Sequence, residues 1–204
     1  MRRLSKKAFN GWATTHRPRW WEYPWIVREV RRRGGGGKAA DFGAGQSPVP
    51  LALAELGYET FVVDPDTLEG KYDNEWNFVD YGRWGITTIR AGMEDAVFEP
   101  GTLDVAVSVS VIEHLPADAR RRGLQQIYTA LKPGGLAVLS VDVLPDGIHL
   151  WNRVEDEIES LDVHGTVDDF MNECEAVGFS ILQRSACPIT VPHLRVQAAA
   201  LVRP

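Results

Sequence analysis

Cysteine is almost missing from this chain: Cys174 and Cys187 are the only two in 204 residues. Two are too few for a disulfide framework and they lack metal-site spacing, so both are expected as reduced thiols of a cytoplasmic protein. No apolar run reaches about 18 residues, so no membrane-spanning helix is expected. The basic start "MRRLSKKAFNGW" is not followed by an apolar stretch, so no secretory signal is expected either. There is no internal repeat, and nothing of low complexity beyond "GGGG" at 34–37.

What is present suits one globular domain. The chain is 44% hydrophobic and 25% charged, enough for a core that stands alone. Its net charge of −6 is unevenly spread. Residues 1–38 hold 11 basic and 2 acidic residues, a balance of +9, and the remainder holds 11 and 26, a balance of −15. Such asymmetry marks either an arm that binds nucleic acid or a solvated amphipathic helix packed by its tryptophans.

Segment 17–33, "RPRWWEYPWIVREVRRR", reads as helical after Pro24, with Trp25, Ile26 and Val30 on one side. "GGGG" then ends the helix and forms a hinge. From there apolar strands and helical runs alternate. "KAADF", "YETFVVD", "GITTIRAG", "TLDVAVSVS" and "PGGLAVLSVDV" are strands. Ser47 to Leu56, Pro116 to Leu131 and Val167 to Val177 are helices, with Pro116 suited to a first turn. "FSILQRS" and "RVQAAALV" close the chain with no helix between them, which predicts an antiparallel edge. The pattern is that of an α/β protein: a mostly parallel sheet with helices on both faces. Stretch 65–85 reads as a long polar loop with aromatic content.

Sheets of this type bind ligands at the carboxyl ends of their strands, where the strand order reverses. "DFGAGQS", beginning at Asp41, lies at such an end. Gly43 and Gly45 allow positive φ and a close backbone approach. The third glycine of a GxGxxG dinucleotide turn is missing, since Ser47 and Pro48 follow, and this weakens the case for NAD. Asp64, at the tip of the second strand, is placed to accept hydrogen bonds from ribose hydroxyls, or else caps a turn.

Taken together, "DFGAGQS", "VVDPD", "AGMEDAVF", "LDVAVSVSVIEHLP" and "LKPGGLAVLS" resemble, in order and spacing, the class I S-adenosylmethionine-dependent methyltransferases. The resemblance covers residues 38 to about 143. It implies a Rossmann-like, doubly wound, seven-stranded sheet, with residues 38–204 as the methyltransferase domain. Residues 1–37 are then a separate helical and aromatic segment, a lid or a dimer contact. It implies that Asp41 and the backbone of Gly43, Ala44 and Gly45 hold the methionine end of the cofactor. Asp64 and Pro65 would lie at the ribose, Met93 and Glu94 would flank the adenine, and the Ser108 backbone would line the methionine portion. Many relatives carry an acid where this chain has Gly92, so Glu94 or Asp95 must take its place or the contact to the adenine amine is lost.

Methyl transfer to an alcohol needs alignment and a base. Glu113 and His114 of "SVIEHLP" follow the fourth strand, and His149 follows the fifth, so these three are the catalytic candidates. Histidine titrates near neutrality and suits the base role, although either histidine can instead serve packing. Some methyltransferases bind magnesium through an "ExxEH" motif. Ser110 stands in its first position, which leaves Glu113, His114 and His149 as the ligand set of a weaker divalent-cation site.

The chain has seven tryptophans. Trp84 and Trp151 fall on segments expected to border the cleft, with Asp142 and Asp66, Asp73, Asp80 and Glu113 nearby. Flat indoles and carboxylates suit sugar rings. The expected activity is O-methylation of a small polyhydroxylated acceptor, a carbohydrate. The alternatives are a phenol or quinone-precursor O-methyltransferase, an RNA methyltransferase using the basic arm, and a cofactor-binding module without catalysis.

Overall fold

The computed structural model of the chain describes residues 16–65, 80–95, 98–152 and 158–204. The first long element is helix α1, Arg19–Arg33. Then come β1, Lys38–Phe42, helix α2, Val49–Glu55, and β2, Glu59–Val63. A 3₁₀ turn at Tyr81–Trp84 leads to the short β3, Thr87–Ile89. Strand β4, Leu103–Val109, ends in a second 3₁₀ turn, Ile112–His114, before helix α3, Ala117–Ala130. The last part holds β5, Leu131–Val143, a single helical turn α4, Leu161–His164, helix α5, Val167–Val177, and strands β6, Ser180–Ala186, and β7, Arg195–Val202.

Among the described residues the strands form one seven-stranded sheet, ordered β3-β2-β1-β4-β5-β7-β6. Pairings from β3 through β5 are parallel, while β7 runs antiparallel to both β5 and β6. This is the mostly parallel sheet with an antiparallel edge that the sequence predicts. The order reverses between β1 and β4, which opens a crevice at their carboxyl ends.

Strand side chains alternate between the faces, so the sheet has a core on each side. Ala39, Val105, Val107, Leu136 and Val138 point to one face and meet Trp25, Ile26 and Val30 of α1 with Val49 and Leu53 of α2. Ala40, Ala106, Ala137, Leu139 and Val141 point to the other and meet Leu124 and Ile127 of α3 with Phe170 and Cys174 of α5.

Helix α1 starts at Arg19, ahead of the expected start after Pro24, and holds Pro24 inside it. An interior proline costs a backbone hydrogen bond and crowds the preceding turn. Burial of Trp25, Ile26 and Val30, each 2% exposed or less, offsets that cost. The segment that the sequence sets apart as a lid or dimer contact thus holds a helix seated on the sheet. Trp12, Trp76, Asp66 and Asp73, and most of loop 65–85, lie outside the described residues.

Candidate active site

The turn after β1 is shaped by its glycines. Gly43 and Gly45 have φ of 75° and 46°. A Cβ on Gly43 would stand 2.5 Å from a Val111 methyl carbon, so only glycine lets the turn approach the segment after β4 this closely. Nothing lies within 4 Å of the corresponding point on Gly45, whose turn faces open space. Two long-range contacts hold it. The Gly45 N–H donates to Asp64 Oδ2 at 2.9 Å. The Tyr81 hydroxyl reaches the carbonyls of Gly45 and Ser47 at 3.0 and 2.8 Å.

Asp41 is fully buried beneath this turn, and neither of its carboxylate oxygens has a hydrogen-bond partner. Burial, reinforced by the charge of Asp64, raises its carboxyl well above the usual aspartate range. Tyr23 from α1 and Tyr81 both feel the Asp41 charge, and burial raises both phenols, that of Tyr23 to about 12. Ser108 on β4 commits its hydroxyl to the Phe42 carbonyl at 2.9 Å, tying β4 to β1 behind the turn. Ala44 is buried and Pro65 exposed.

After β3, Met93 is a core side chain under α3: a Cβ on Gly123 would meet its sulfur at 2.7 Å. The Glu94 carboxylate lies where a side chain at position 92 would go, since a Cβ on Gly92 would stand 2.7 Å from Glu94 Oε2. That oxygen is buried without a partner.

A second polar group sits past the ends of β4 and β5. Glu22, from the first turn of α1, is fully buried and accepts from Ser110 Oγ at 2.8 Å and from Ser140 Oγ. Ser110 Oγ also lies 2.9 Å from Asp142 Oδ1. Arg19 donates to Glu22 and Ser110, and its Nη1 stands 3.7 Å from Asp142. Burial works against the charge of Arg19, but Glu22 and Asp142 outweigh it and hold the guanidinium protonated. Glu113, also fully buried, accepts from the Asp142 N–H at 2.8 Å, while its Oε2 has no partner. Burial, with Asp142 as neighbour, raises Glu113, and burial likewise raises Asp142. Ser110 is the one non-glycine with positive φ among the described residues, at 49°. Backbone strain of this kind concentrates at working sites.

Contacts join Glu113, His114 and Trp151, while His149 and Trp84 have other partners. His114 is 44% exposed, with Nε2 3.9 Å from Glu113 Oε1 and its ring edge-on to Trp151 at 5.0 Å. His149 is paired with Asp146 at 2.7 Å. Trp151 packs with Cys187, Leu194 and Val196, whereas Trp84 packs beside Tyr81 and Ile86 near β2 and β3. Among the described residues no group of three metal-ligating side chains is placed to hold an ion, so Glu113, His114 and His149 do not form a ligand set. Arg19, Glu22, Ser140, Tyr23 and Tyr81 escaped the sequence reading. For Glu22 a signal existed: it lies three and four residues before Trp25 and Ile26, on the buried side of the helix.

A sheet of this order, with a glycine turn after β1 and an acid after β2, defines the class as Rossmann-like α/β proteins. Comparison with known proteins narrows the class. Residues 40–139 match the family described as a methyltransferase domain. An uncharacterized methyltransferase from Mycobacterium sp. (strain JLS) is 34% identical over 109 residues, which are 53% of this chain and 40% of that protein. The chain thus matches only about two fifths of the length of the curated relative. N-methyltransferase NodS from Bradyrhizobium japonicum WM9 superposes with a TM-score of 0.67 at 13% identity, covering 93% of this chain and 98% of that one. The 1,6-didemethyltoxoflavin-N1-methyltransferase of Burkholderia thailandensis, solved with its substrate and S-adenosylhomocysteine, gives 0.66 at 17% identity, covering 89% and 76%. At such identities the two structures show likeness of fold alone. Residues 40–139 form a class I S-adenosylmethionine-dependent methyltransferase domain.

Proposed function

We propose that the chain transfers a methyl group from S-adenosylmethionine to a small acceptor seated over the ends of β4 and β5. The observation that carries this reading is Asp41, a fully buried carboxylate with both oxygens unpartnered under a glycine turn. Such a group suits a ligand that brings positive charge and N–H donors. S-adenosylmethionine, when bound, supplies a methyl group on a sulfonium already activated toward a nucleophile. Asp41 and the backbone of Gly43 to Gly45 would hold its methionine end, Asp64 its ribose and Glu94 its adenine amine. Tyr81 holds the turn in shape for them.

The acceptor's nucleophile must shed a proton, and His114 would take it. Its ring is half exposed at the end of β4, with the Glu113 carboxylate behind it. O-methylation of a carbohydrate hydroxyl draws its support from this pair and from Trp151 at their side. Trp84 packs in another cluster, with Ala44, Tyr81 and Ile86. The free, buried thiols of Cys174 and Cys187 suit a reducing compartment such as the cytoplasm.

Calorimetry with S-adenosylhomocysteine tests the cofactor site directly. Asp64→Ala should weaken binding by about 1.5–3 kcal/mol, the worth of hydrogen bonds to a charged group; unchanged affinity would place the ribose elsewhere. His114→Ala should retain that affinity and lose at least about tenfold in turnover, the low side of a base contribution. Equal turnover of the two proteins would move the base to another residue.

A further inference from the structure

Among the described residues, the cluster past β4 and β5 has more buried carboxylates than cations. Glu22, Glu113 and Asp142 are at most 6% exposed, and Arg19 is the one guanidinium among the described residues that contacts them. Arg19 is engaged with Glu22 and Ser110, so it does not satisfy Glu113, whose Oε2 is buried with no partner beside Asp142. Like charges this close and this dry cannot all be ionised without another cation. In the free protein protons supply the balance, in line with the raised carboxyls of Glu113 and Asp142. His16, the other basic group near Asp142 and Glu22, is held toward its neutral form by burial. The cluster is also in the right place for an acceptor. It adjoins Val111, whose side chain touches the glycine turn, and His114, which adjoins Glu113.

The geometry points to an amine as the acceptor, bound as its ammonium between Glu113 and Asp142 in place of the protons those carboxyls otherwise keep. This rests on the methyltransferase reading of the same site and names its substrate class. Arg19 and the hydroxyls of Ser110 and Ser140 keep the carboxylates in position. A neutral alcohol or sugar cannot replace those protons and so gains no ion pair with Glu113 or Asp142. An N–H bond of the ammonium breaks, with the proton moving to Glu113 or Asp142 or to the adjacent His114. The freed nitrogen lone pair would then form the N–CH3 bond as the S–CH3 bond of S-adenosylmethionine breaks, its electron pair staying on sulfur in the departing S-adenosylhomocysteine.

The test uses the full chain and labelled S-adenosylmethionine. Methylamine, ethanolamine, putrescine and glycine are compared with methanol, ethylene glycol, butanediol and glycolate, and with glucose and phenol. We expect at least one amine to be methylated with kcat/KM about tenfold or more above its hydroxyl counterpart, the scale of a single charge-assisted hydrogen bond. Asp142→Asn should then raise KM for that amine about tenfold with a smaller change in kcat, by the same loss, and leave S-adenosylhomocysteine affinity unchanged. If Asp142→Asn does not fold, Glu113→Gln carries the same expectation. As a readout apart from turnover, the preferred amine should raise the thermal midpoint of S-adenosylhomocysteine-saturated protein, and its alcohol should not. Methylation of alcohols, glucose or phenol with no amine turned over, or no turnover of any compound by protein that binds S-adenosylhomocysteine, overturns the amine. Failure to bind S-adenosylhomocysteine at all overturns the methyltransferase reading beneath it.

Discussion

An aspartate with no donor for either oxygen weakens the fold as soon as it ionises, and Asp41 is such a residue. Its folded value lies well above the ordinary 3.8 because of burial, with Asp64 adding repulsion. With the folded value above the unfolded one, the stability linked to this group is complete below 3.8 and is lost as pH rises through the folded value. Asp41→Asn should therefore stabilise the free protein at pH 8, by about 2–4 °C in thermal midpoint for each kcal/mol relieved. The same change should weaken S-adenosylhomocysteine binding about tenfold or more through loss of charge-assisted hydrogen bonds. Thermal unfolding and calorimetry on the two proteins measure both effects, and a variant less stable than the parent would contradict the account. At this scale the sequence exposes the glycines and the acid after β2, because their spacing follows from one strand-turn-helix unit. It does not reveal that Tyr81 bonds to the turn, since that contact spans a long loop.

At the scale of elements, α1 is where pattern reading and structure diverge most. A proline, three tryptophans between positions 20 and 25 and a run of glycines suggest a hinged aromatic segment, a lid or a dimer contact. The helix instead lays Trp25, Ile26 and Val30 against β4, β5 and β7 and becomes part of the core. Trp25→Ala should cost about 3–5 kcal/mol, the usual loss for a large buried aromatic, read from denaturant unfolding. A loss below about 1 kcal/mol, the range of surface positions, would return α1 to the role of a lid. Elsewhere the elements are legible. Short apolar-rich segments mark β1, β4 and β5, and turn residues bound them. The ends differ by a few residues: the Ser47 to Leu56 helix is α2 at Val49–Glu55, and "GITTIRAG" keeps only Thr87–Ile89 as β3.

For the molecule as a whole, the raised carboxyls of Asp41, Glu113 and Asp142 act in the same direction. Each withdraws stability as pH climbs through its folded value. Asp104, Asp146 and Asp169 are lowered, Asp104 by Lys132 and Lys38 against some burial, Asp146 by His149 and Asp169 by Thr166. They lose stability only as pH falls below the usual 3.8. His16, lowered by burial, withdraws stability only on acidification below 6.5. The raised carboxyls draw stability down as pH climbs from their ordinary 3.8 and 4.5 through their folded values, so the thermal midpoint of the free protein should fall over that window. S-adenosylhomocysteine should recover part of the fall, since a ligand that binds only the folded state stabilises it by mass action. A midpoint that rises over that range would refute the burial of these groups. The amino-acid sequence alone determined the alternating sheet, the glycine turn and the acid after β2, because each depends on neighbours within one strand, turn or helix. Only the tertiary structure decided that Arg19 and Glu22 meet Ser110, Ser140 and Asp142, and that Trp84 and Trp151 lie apart. Those distances depend on the order in which crossovers lay strands side by side, and no local spacing records that order.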